Sequence, residues 1–243
     1  MPRFVVQHHA VLASTMDEAR ARARDGAPDG TVVVASRQTQ GRGRHGRDWI
    51  SPAGNLYTSV LLRPGLPQVR LSELGFVAGL AVADAVDAVL QDGAVLQGGR
   101  ARLKWPNDVL IDGAKIAGIL VEIVEDNAAV IGIGLNIVEA PAAMPYPITC
   151  LRDAGATTAS PVTVLTQLLA ALERHLSHWM EHGFAWSRAA WLVRGPAEGE
   201  IVRIRIGSRV EAGRFAGLDI DGALLLHAAD TTRRIVVGDV VGA

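Results

Sequence analysis

Cysteine is nearly absent from this 243-residue sequence, which contains Cys150 and no other. One cysteine excludes a disulfide framework or a cysteine-rich metal site within the chain, so we expect a reducing, cytoplasmic setting. Cys150 itself is better explained as a small apolar filler than as a nucleophile. Long apolar runs are also missing. No stretch approaches about 18 residues, so we expect no membrane span, and residues 1–4 lack the apolar core of a signal peptide.

Neither sign of charge dominates: the net charge is −1 and the pI is near 6.7. Proteins that bind nucleic acid generally carry a basic excess, so general DNA or RNA binding is disfavoured. With 49% hydrophobic and 20% charged residues, the chain should be globular, as one large domain or as a large and a small one. About a dozen residues precede the first helix signal, too few for an N-terminal DNA-binding domain.

The most distinctive stretch, residues 38–49, reads Gln-Thr-Gln-Gly-Arg-Gly-Arg-His-Gly-Arg-Asp-Trp. Glycine frees the backbone, and arginine supplies charged donors suited to phosphate and carboxylate. Such a stretch also fits a disordered RNA-binding arm or a solvated linker. Strand-like segments at residues 31–36 and 55–62 anchor both ends, which favours a loop that orders over an anionic ligand. Without ligand, we expect its arginines to repel one another and the loop to be mobile.

Hydroxyl groups stand at the start of the first predicted helix, which continues to about residue 24. Thr15 followed by Glu18 fits a capping box. Hydroxyls at a helix start also bind polar ligand atoms, but Ser14 and Thr15 alone favour simple capping. A second apolar helix is predicted over residues 71–90, with a role in the core.

A rigid corner is predicted where Pro106 separates two short strands within residues 102–111. The corner displays Lys104, Asn107 and Asp108. An ordinary Pro-Asn-Asp turn is the alternative, but several polar or aromatic groups at one corner favour a site.

Two longer strands follow, over residues 115–124 and 128–136, the first of them central in the sheet because it is apolar on both faces. Lys115 stands at the mouth of the first strand, where a snorkelling lysine is also common. Gly132 and Gly134 share one face of the second, so a ligand can lie flat against the sheet. Asn136 ends that strand as a polar group.

The last third of the chain is predicted to contain a helix from Ser160 to about His182 and then short strands. His175, His178 and His182 lie on one face of the helix, where a solvated surface is favoured over a metal site. At Gly195–Pro196 the sequence pattern changes from helical segments to short alternating strands, which predicts one domain at residues 1–195 and a second at 196–243. The second contains four short strands with a hairpin signal at residues 221–222, which predicts a small SH3-type β-barrel.

Four motifs carry a resemblance to a known family. They are the loop at residues 41–49, Lys-Trp-Pro-Asn-Asp at 104–108, Lys-Ile-Ala-Gly-Ile-Leu at 115–120 and Gly-Ile-Gly-Leu-Asn at 132–136. In order and spacing they resemble the biotin protein ligases (biotin–acetyl-CoA-carboxylase ligases), in the short form without a DNA-binding domain. The resemblance covers essentially the whole chain. It implies an α+β fold, namely a class II aminoacyl-tRNA-synthetase-like catalytic domain with a mixed sheet, followed by the SH3-like barrel.

The resemblance implies a two-step reaction. The biotin carboxylate attacks the α-phosphate of ATP, giving biotinyl-5′-AMP and pyrophosphate, with Mg²⁺ accompanying the nucleotide. A lysine of a biotin carboxyl carrier protein, from acetyl-CoA carboxylase or another biotin-dependent carboxylase, then attacks the mixed anhydride and AMP leaves. The expected setting is the cytoplasm, as a monomer or homodimer, without DNA or membrane partners.

The resemblance also assigns residues, and no metal ligand from the protein is among them. The catalytic group is Lys115, Arg42, Arg44 and Asp108, where Asp108 either orients the acceptor amine or assists its deprotonation. The implied biotin contacts are Ser14, Thr15, Met16, Gln38, Arg42, Gly43, Arg44, Lys115, Gly118, Gly132 and Gly134. The implied nucleotide contacts are Arg44, Arg47, Trp49, Asn107, Lys115 and Asn136. Met16 departs from the family, which commonly has asparagine there, so only a main-chain contact would survive.

Two alternatives remain open. A lipoate ligase or octanoyl transferase belongs to the same superfamily, although the arginine loop and the Lys-Trp-Pro-Asn-Asp corner argue for biotin. A biotin-responsive regulator that binds nucleic acid is opposed by the near-neutral charge.

Overall fold

A computed structural model describes residues 3–90, 101–124, 127–142 and 144–241. Seven strands form its central sheet: β1 Val5–Leu12, β2 Thr31–Gln38, β3 Leu56–Leu62, β4 Ala101–Lys104, β5 Asp108–Ile111, β6 Ala114–Val124 and β7 Ala128–Leu135. Their order across the sheet is β1-β2-β3-β7-β6-β5-β4. β1 pairs with β2 in parallel and the other pairs are antiparallel. The predicted α+β class with a mixed sheet is confirmed, and β6 is internal as its apolar faces indicated.

The two faces of the sheet serve different purposes, and β7 shows how the sequence separates them. Ile131 and Ile133 belong to the large core on one face, whereas Val130 belongs to a small core on the other. Because side chains alternate along a strand, Gly132 and Gly134 lie on the same face as Val130. The apolar cover of that face therefore gives way to glycine along the strand, and this opening positions the site.

Helix α1, Thr15–Arg24, covers part of the small-core face. Met16, Ala19 and Ala23 repeat at helical spacing and pack on Val33 and Val130. The predicted capping box is wrong: the helix begins at Thr15, so the N-cap is the preceding serine, whose side chain makes no capping bond. The Thr15 hydroxyl instead faces the sheet.

The opposite face of the sheet is covered by helices α2 Gln68–Leu71, α3 Leu74–Leu90, α4 Pro161–His182 and α5 Phe184–Arg194. α3 is apolar nearly all round because it lies between the sheet and the α4–α5 pair. The helix predicted over residues 71–90 corresponds to α3, which begins three residues later, and α2 shares only Leu71 with that range. α4 matches its prediction, and the Ser160 side chain accepts a hydrogen bond from Thr163 N (3.2 Å) as its N-cap.

The histidine face of α4 is not the solvated surface that was expected. His175 is buried, and its Nε2 lies 2.8 Å from Asp84 Oδ2 of α3. His178 stacks on Trp186 of α5, with ring centroids 4.3 Å apart, and only His182 is exposed. The i, i+3, i+7 spacing correctly placed the three on one side, but that side meets α3 and α5.

Five antiparallel strands complete the chain: β8 Ile201–Ile206, β9 Arg209–Leu218, β10 Leu224–Ala228, β11 Thr231–Ile235 and β12 Asp239–Val240. Their order, β11-β10-β9-β8-β12, leaves the sheet open rather than fully closed, and it fits the SH3-like class. We call this unit the C-terminal sheet. The boundary at residues 195 and 196 falls between α5 and β8 and remains a prediction. Among the described helices, none has the length and apolar character needed to cross a bilayer.

Candidate functional site

A cavity of about 430 Å³ opens on the glycine-bearing face of the central sheet. Small-molecule sites are typically concave and of about this size. The structure brings almost all of the predicted site residues to its wall: Ser14, Thr15, Met16, Gln38, Arg42, Gly43, Arg44, Arg47, Trp49, Asn107, Asp108, Lys115, Gly118, Gly132 and Gly134.

Asn136 is the exception among the predicted site residues. Its side chain is fully buried, and its Nδ2 donates to the carbonyl oxygen of Thr149 (3.1 Å). Its backbone N–H donates to Ile116 O (2.9 Å). Asn136 thus ties the end of β7 to a neighbouring loop behind the cavity wall, and its predicted nucleotide contact gains no support from this arrangement.

One end of the cavity is polar but carries no charge. Gln38 Oε1 accepts hydrogen bonds from the backbone N–H (2.8 Å) and the hydroxyl (3.1 Å) of Thr15. Ser59 Oγ donates to the same Thr15 hydroxyl (2.8 Å). Ser14 Oγ is buried with no partner among the described residues. An unpaired buried hydroxyl is costly, so this end is suited to a neutral ligand group with donors and acceptors.

The floor of the cavity is apolar and depends on three glycines. Gly118 and Gly134 are direct partners across β6 and β7. A methyl group at Gly134 would lie 2.3 Å from the indole of Trp49, and one at Gly132 would lie 2.4 Å from the sulfur of Met16. The glycines lie on one face as expected, and in this structure the side chains of Trp49 and Met16 lie against them, so the flat ligand floor stays a prediction.

The other end of the cavity is cationic and centres on a buried carboxylate. Asp108 accepts hydrogen bonds from Lys115 Nζ (2.6 Å) and Lys104 Nζ (2.9 Å), and these are the two lysines of the whole chain. Burial would raise the pKa of Asp108, but the charges and hydrogen bonds of the two lysines outweigh it and lower that pKa. Asp108 is therefore ionised at neutral pH. Lys115 Nζ also lies 5.3 Å from the Trp49 ring centroid, a cation–π contact.

The arginine loop closes the cavity from above, and we call residues 41–49 the lid. Arg44 Nη1 donates to Asp239 Oδ1 (2.9 Å), and Arg47 Nη2 donates to Asp239 Oδ2 (3.0 Å). Arg42 Nη2 donates to Asp17 Oδ1 on α1 (2.6 Å). The expectation of a self-repelling loop overlooked these carboxylates, which are distant in sequence. Burial lowers the pKa of Arg44, with Asp239 opposing it, but a guanidinium remains charged.

Several residues that line the cavity had been assigned no role, and four of them bear on its charge and polarity. Lys104 is the second partner of Asp108, and Arg205 and Asp239 come from the C-terminal sheet. Tyr146 lies 5.7 Å from Lys115 Nζ, and burial raises its pKa, so its phenol is neutral. An aromatic residue between two prolines was a usable signal for Tyr146. No sequence signal pointed to the two residues of the C-terminal sheet.

The arrangement fits an elongated acid and a second anion. A neutral polar head matches the Thr15–Gln38 end, an apolar body matches the glycine floor, and an anionic tail reaches Lys115. The lid arginines then face a second anionic group near the tail. In the part of the chain that the structure describes, no three metal-ligating side chains cluster. Asp108 and Asp239 are each held by two cations.

Comparison with known proteins agrees with this geometry. Residues 10–137 match the model of the biotin/lipoate A/B protein ligase family, and residues 199–241 match the biotin protein ligase C-terminal domain. A biotin–acetyl-CoA-carboxylase ligase of Paracoccus denitrificans is 37% identical over 80% of this chain and 83% of its own length. The ligase of the same name from Mycobacterium tuberculosis is 35% identical over 96% of this chain and 86% of its own.

Solved structures point the same way. A biotin protein ligase from Aquifex aeolicus in complex with biotin and ATP superposes with a TM-score of 0.81 at 28% identity, covering 97% of each chain. One from Leishmania major in complex with biotinyl-5-AMP gives a TM-score of 0.65 at 26% identity over 98% of each chain. The chain belongs to the biotin/lipoate A/B protein ligase family and, within it, to the biotin protein ligases.

Proposed function

We propose that this protein is an ATP-dependent ligase that forms biotinyl-5′-AMP and transfers biotin to a lysine of a biotin carboxyl carrier protein. The observation that carries the proposal is one continuous cavity with a neutral hydrogen-bonding end, a glycine floor and a cationic end. The Aquifex structure in complex with biotin and ATP supports the same pairing of ligands. Biotin has a neutral ureido head, an aliphatic chain and a carboxylate, so it can occupy the three parts in order.

In the first step, a carboxylate oxygen of biotin attacks the α-phosphorus, and the bond from that phosphorus to the bridging oxygen of pyrophosphate breaks. Two anionic groups must approach each other, so cations already in position lower the barrier. We assign this role to Lys115, whose ammonium lies in the cavity beside Asp108 and near the Trp49 ring. Arg44 and Arg47 lie on the other side, where the phosphates would be. The Lys115 ammonium then exchanges part of its contact with Asp108 for the ligand.

In the second step, the acceptor amine attacks the carbonyl carbon, the acyl–oxygen bond breaks and AMP leaves. The acceptor ammonium must first lose a proton. Asp108 has a lowered pKa, which makes it a weak base. Its charge and burial instead suit the orientation of an incoming ammonium, and the proton passes to water. Of the two roles left open by the sequence, we propose orientation.

Several finer features belong to the same proposal. Asp108 and Asp239 are already held by cations and do not offer a ready metal site, so Mg²⁺ would be carried by the nucleotide phosphates, whose charge it would offset. The acceptor is the carrier protein of acetyl-CoA carboxylase, in line with the names of the Paracoccus and Mycobacterium relatives. The site of action is the cytoplasm, and the assembly is a monomer or homodimer.

The test is transfer of labelled biotin to a purified acceptor domain, with and without Mg-ATP. We expect ATP-dependent label on the acceptor and none on an acceptor whose target lysine is replaced by arginine. Intact-mass measurement of both proteins separates acceptor labelling from labelling of the ligase's own two lysines, Lys104 and Lys115. Absence of both biotinyl-AMP and labelled acceptor would overturn the proposal. Faster transfer of lipoate or octanoate would favour the sister activity instead.

A further inference from the structure

The C-terminal sheet is fixed against the site by the predicted corner. Trp105 Nε1 donates to the carbonyl oxygen of Gly222 (3.0 Å), and Val240 N donates to Trp105 O (3.4 Å). β12 pairs with β8 through Asp239 and Arg205. Trp105 is buried, and it lines the cavity as well as joining the two sheets. These contacts hold Asp239 beside the lid.

The Asp239 carboxylate bridges two lid arginines, with one oxygen for each. Its side chain is 22% exposed, and that of Arg44 is 20% exposed, so the pair is partly shielded from water. Arg44 Nη1 also donates to the carbonyl oxygen of Gly238 (3.3 Å). Charge-assisted hydrogen bonds with both partners partly buried are stronger than surface ion pairs.

The two bridged arginines determine the shape of the rest of the lid. Arg47 Nε donates to Arg44 O (3.1 Å), and Gly43 N donates to Arg47 O (2.7 Å). The chain then reaches Trp49, whose backbone N–H donates to Gly41 O (2.9 Å) and whose indole lies on Gly134. Holding the arginines therefore also holds the indole over the floor.

The charges in this group do not cancel. Two guanidinium groups share one carboxylate, which leaves one positive charge beside the cavity. The Nε and Nη2 groups of Arg44 have no hydrogen-bond partner among the described residues, so Arg44 can donate to a ligand without releasing Asp239. A carboxylate in this place orients the donors while leaving capacity for phosphate.

We propose that Asp239 is a positioning residue of the C-terminal sheet that holds the lid closed over the cavity by bridging Arg44 and Arg47. The consequence for catalysis rests on the proposed function: docking of the C-terminal sheet sets how tightly nucleotide and adenylate are held. The bridge itself is a property of the protein without ligand.

The first test therefore uses no ligand. Trypsin cleaves the Arg44–His45 bond only after Arg44 leaves Asp239. Asp239→Asn should speed this cleavage by about three- to tenfold, the worth of a partly shielded ion pair. Asp230→Asn is the matched control, because Asp230 is an exposed carboxylate of the same sheet in a turn with φ of 62° that asparagine tolerates. Equal cleavage rates in Asp239→Asn and the wild type would overturn the proposal.

The second test measures the reaction. Asp239→Asn should raise the KM for ATP and shorten the retention of adenylate by about tenfold, with a smaller change in kcat. Asp239→Glu keeps the charge and should recover part of both. In an Arg47→Ala background the effect of Asp239→Asn should be smaller than the product of the single effects. If Asp239→Asn bound ATP more tightly than the wild type, Asp239 would be competing with phosphate for the lid arginines, and the positioning role would be refuted. If the wild type made no adenylate, the trypsin result would still decide the bridge.

Discussion

Two clusters of arginine and carboxylate lie on opposite faces of the central sheet. The lid cluster contains Arg44, Arg47 and Asp239 at the cavity. The helix cluster, between α3, α4 and α5, contains Arg194 and His175 around Asp84 and Asp87. Both use charge-assisted hydrogen bonds, but they differ in how completely the donors are used.

Arg194 has little capacity left for any ligand. Its Nη1 donates to Asp87 (2.6 Å) and to the carbonyl oxygen of Ala101 (3.1 Å), and its Nη2 donates to Asp84 (2.7 Å). Its side chain is only 13% exposed, compared with 56% for Arg47. A closed cluster with few unused donors joins helices, whereas an open one with excess positive charge can receive an anion. The number of unused donors beside a cavity, rather than the presence of arginine, distinguishes a site from a structural contact.

The largest effect is expected from Lys115→Ala at the cavity. Removing one preorganised charge at a reacting centre commonly costs about 10²–10³ in rate, and we expect a loss of this size in ATP–pyrophosphate exchange with biotin present. Lys104→Ala is the comparison, because Lys104 shares Asp108 but has no cation–π contact with Trp49 or Tyr146. Equal losses in the two variants would show that the lysines act only through Asp108.

Arg194→Ala tests the helix cluster. It removes the guanidinium that Asp84 and Asp87 share, and we expect the free energy of unfolding in urea to fall by about 2–3 kcal/mol. Adenylate formation by the folded protein should not change. Arg174→Ala, which removes a 59% exposed partner of Asp84, should cost less than about 0.5 kcal/mol. A catalytic defect in folded Arg194→Ala would contradict the separation of the two clusters.

Replacing one glycine by alanine on each side of the central sheet compares how the two sides tolerate an added methyl group. Gly134→Ala would overlap the Trp49 indole, and overpacking of this kind commonly costs about 1–3 kcal/mol, so adenylate should escape about tenfold faster. Gly79→Ala in α3 is the control, because its methyl would meet Leu103 Cδ2 at an ordinary 3.6 Å. That variant should be as active as the wild type and more stable by about 0.5–1 kcal/mol. Unchanged adenylate retention in Gly134→Ala would show that the position of the Trp49 indole does not help to keep the adenylate in the cavity.

The smallest expected effect is the contribution of Asp84 to the pH dependence of the free energy of unfolding. Burial would raise the pKa of Asp84, but the hydrogen bond and charge of His175 and the charges of Arg194 and Arg174 together lower it. Because the folded pKa lies below the unfolded one, the stabilisation is present above about pH 4 and is lost as the pH falls through the lowered pKa.

The wild type should therefore lose more stability than Asp84→Asn between about pH 5 and pH 2, measured by urea unfolding. At neutral pH the variant should be the less stable of the two. Parallel pH profiles for the two proteins would show that Asp84 does not carry this dependence.

Much of the site could be predicted because its residues are set by local chemistry. Lys115 at a strand start and a glycine pair on one face of β7 follow from position along a strand. Asn136 would continue that alternation, but β7 ends at Leu135, so its side chain lies behind the cavity wall and its nucleotide contact stays a prediction. Thr15 was taken for a cap because its partners, Gln38 and Ser59, come from other strands.

The sequence by itself determined most of the strands, the α4 helix, the glycine pair on one face of β7 and the family, since these depend on periodicity and on residues close together in the chain. Only the tertiary structure decided which carboxylate neutralises which cation. Asp239 lies 195 residues from Arg44, and Asp84 lies 110 residues from Arg194. The energy of an ion pair depends on the distance between its charges, and the packing of the two sheets and the helices sets that distance for residues far apart in the sequence.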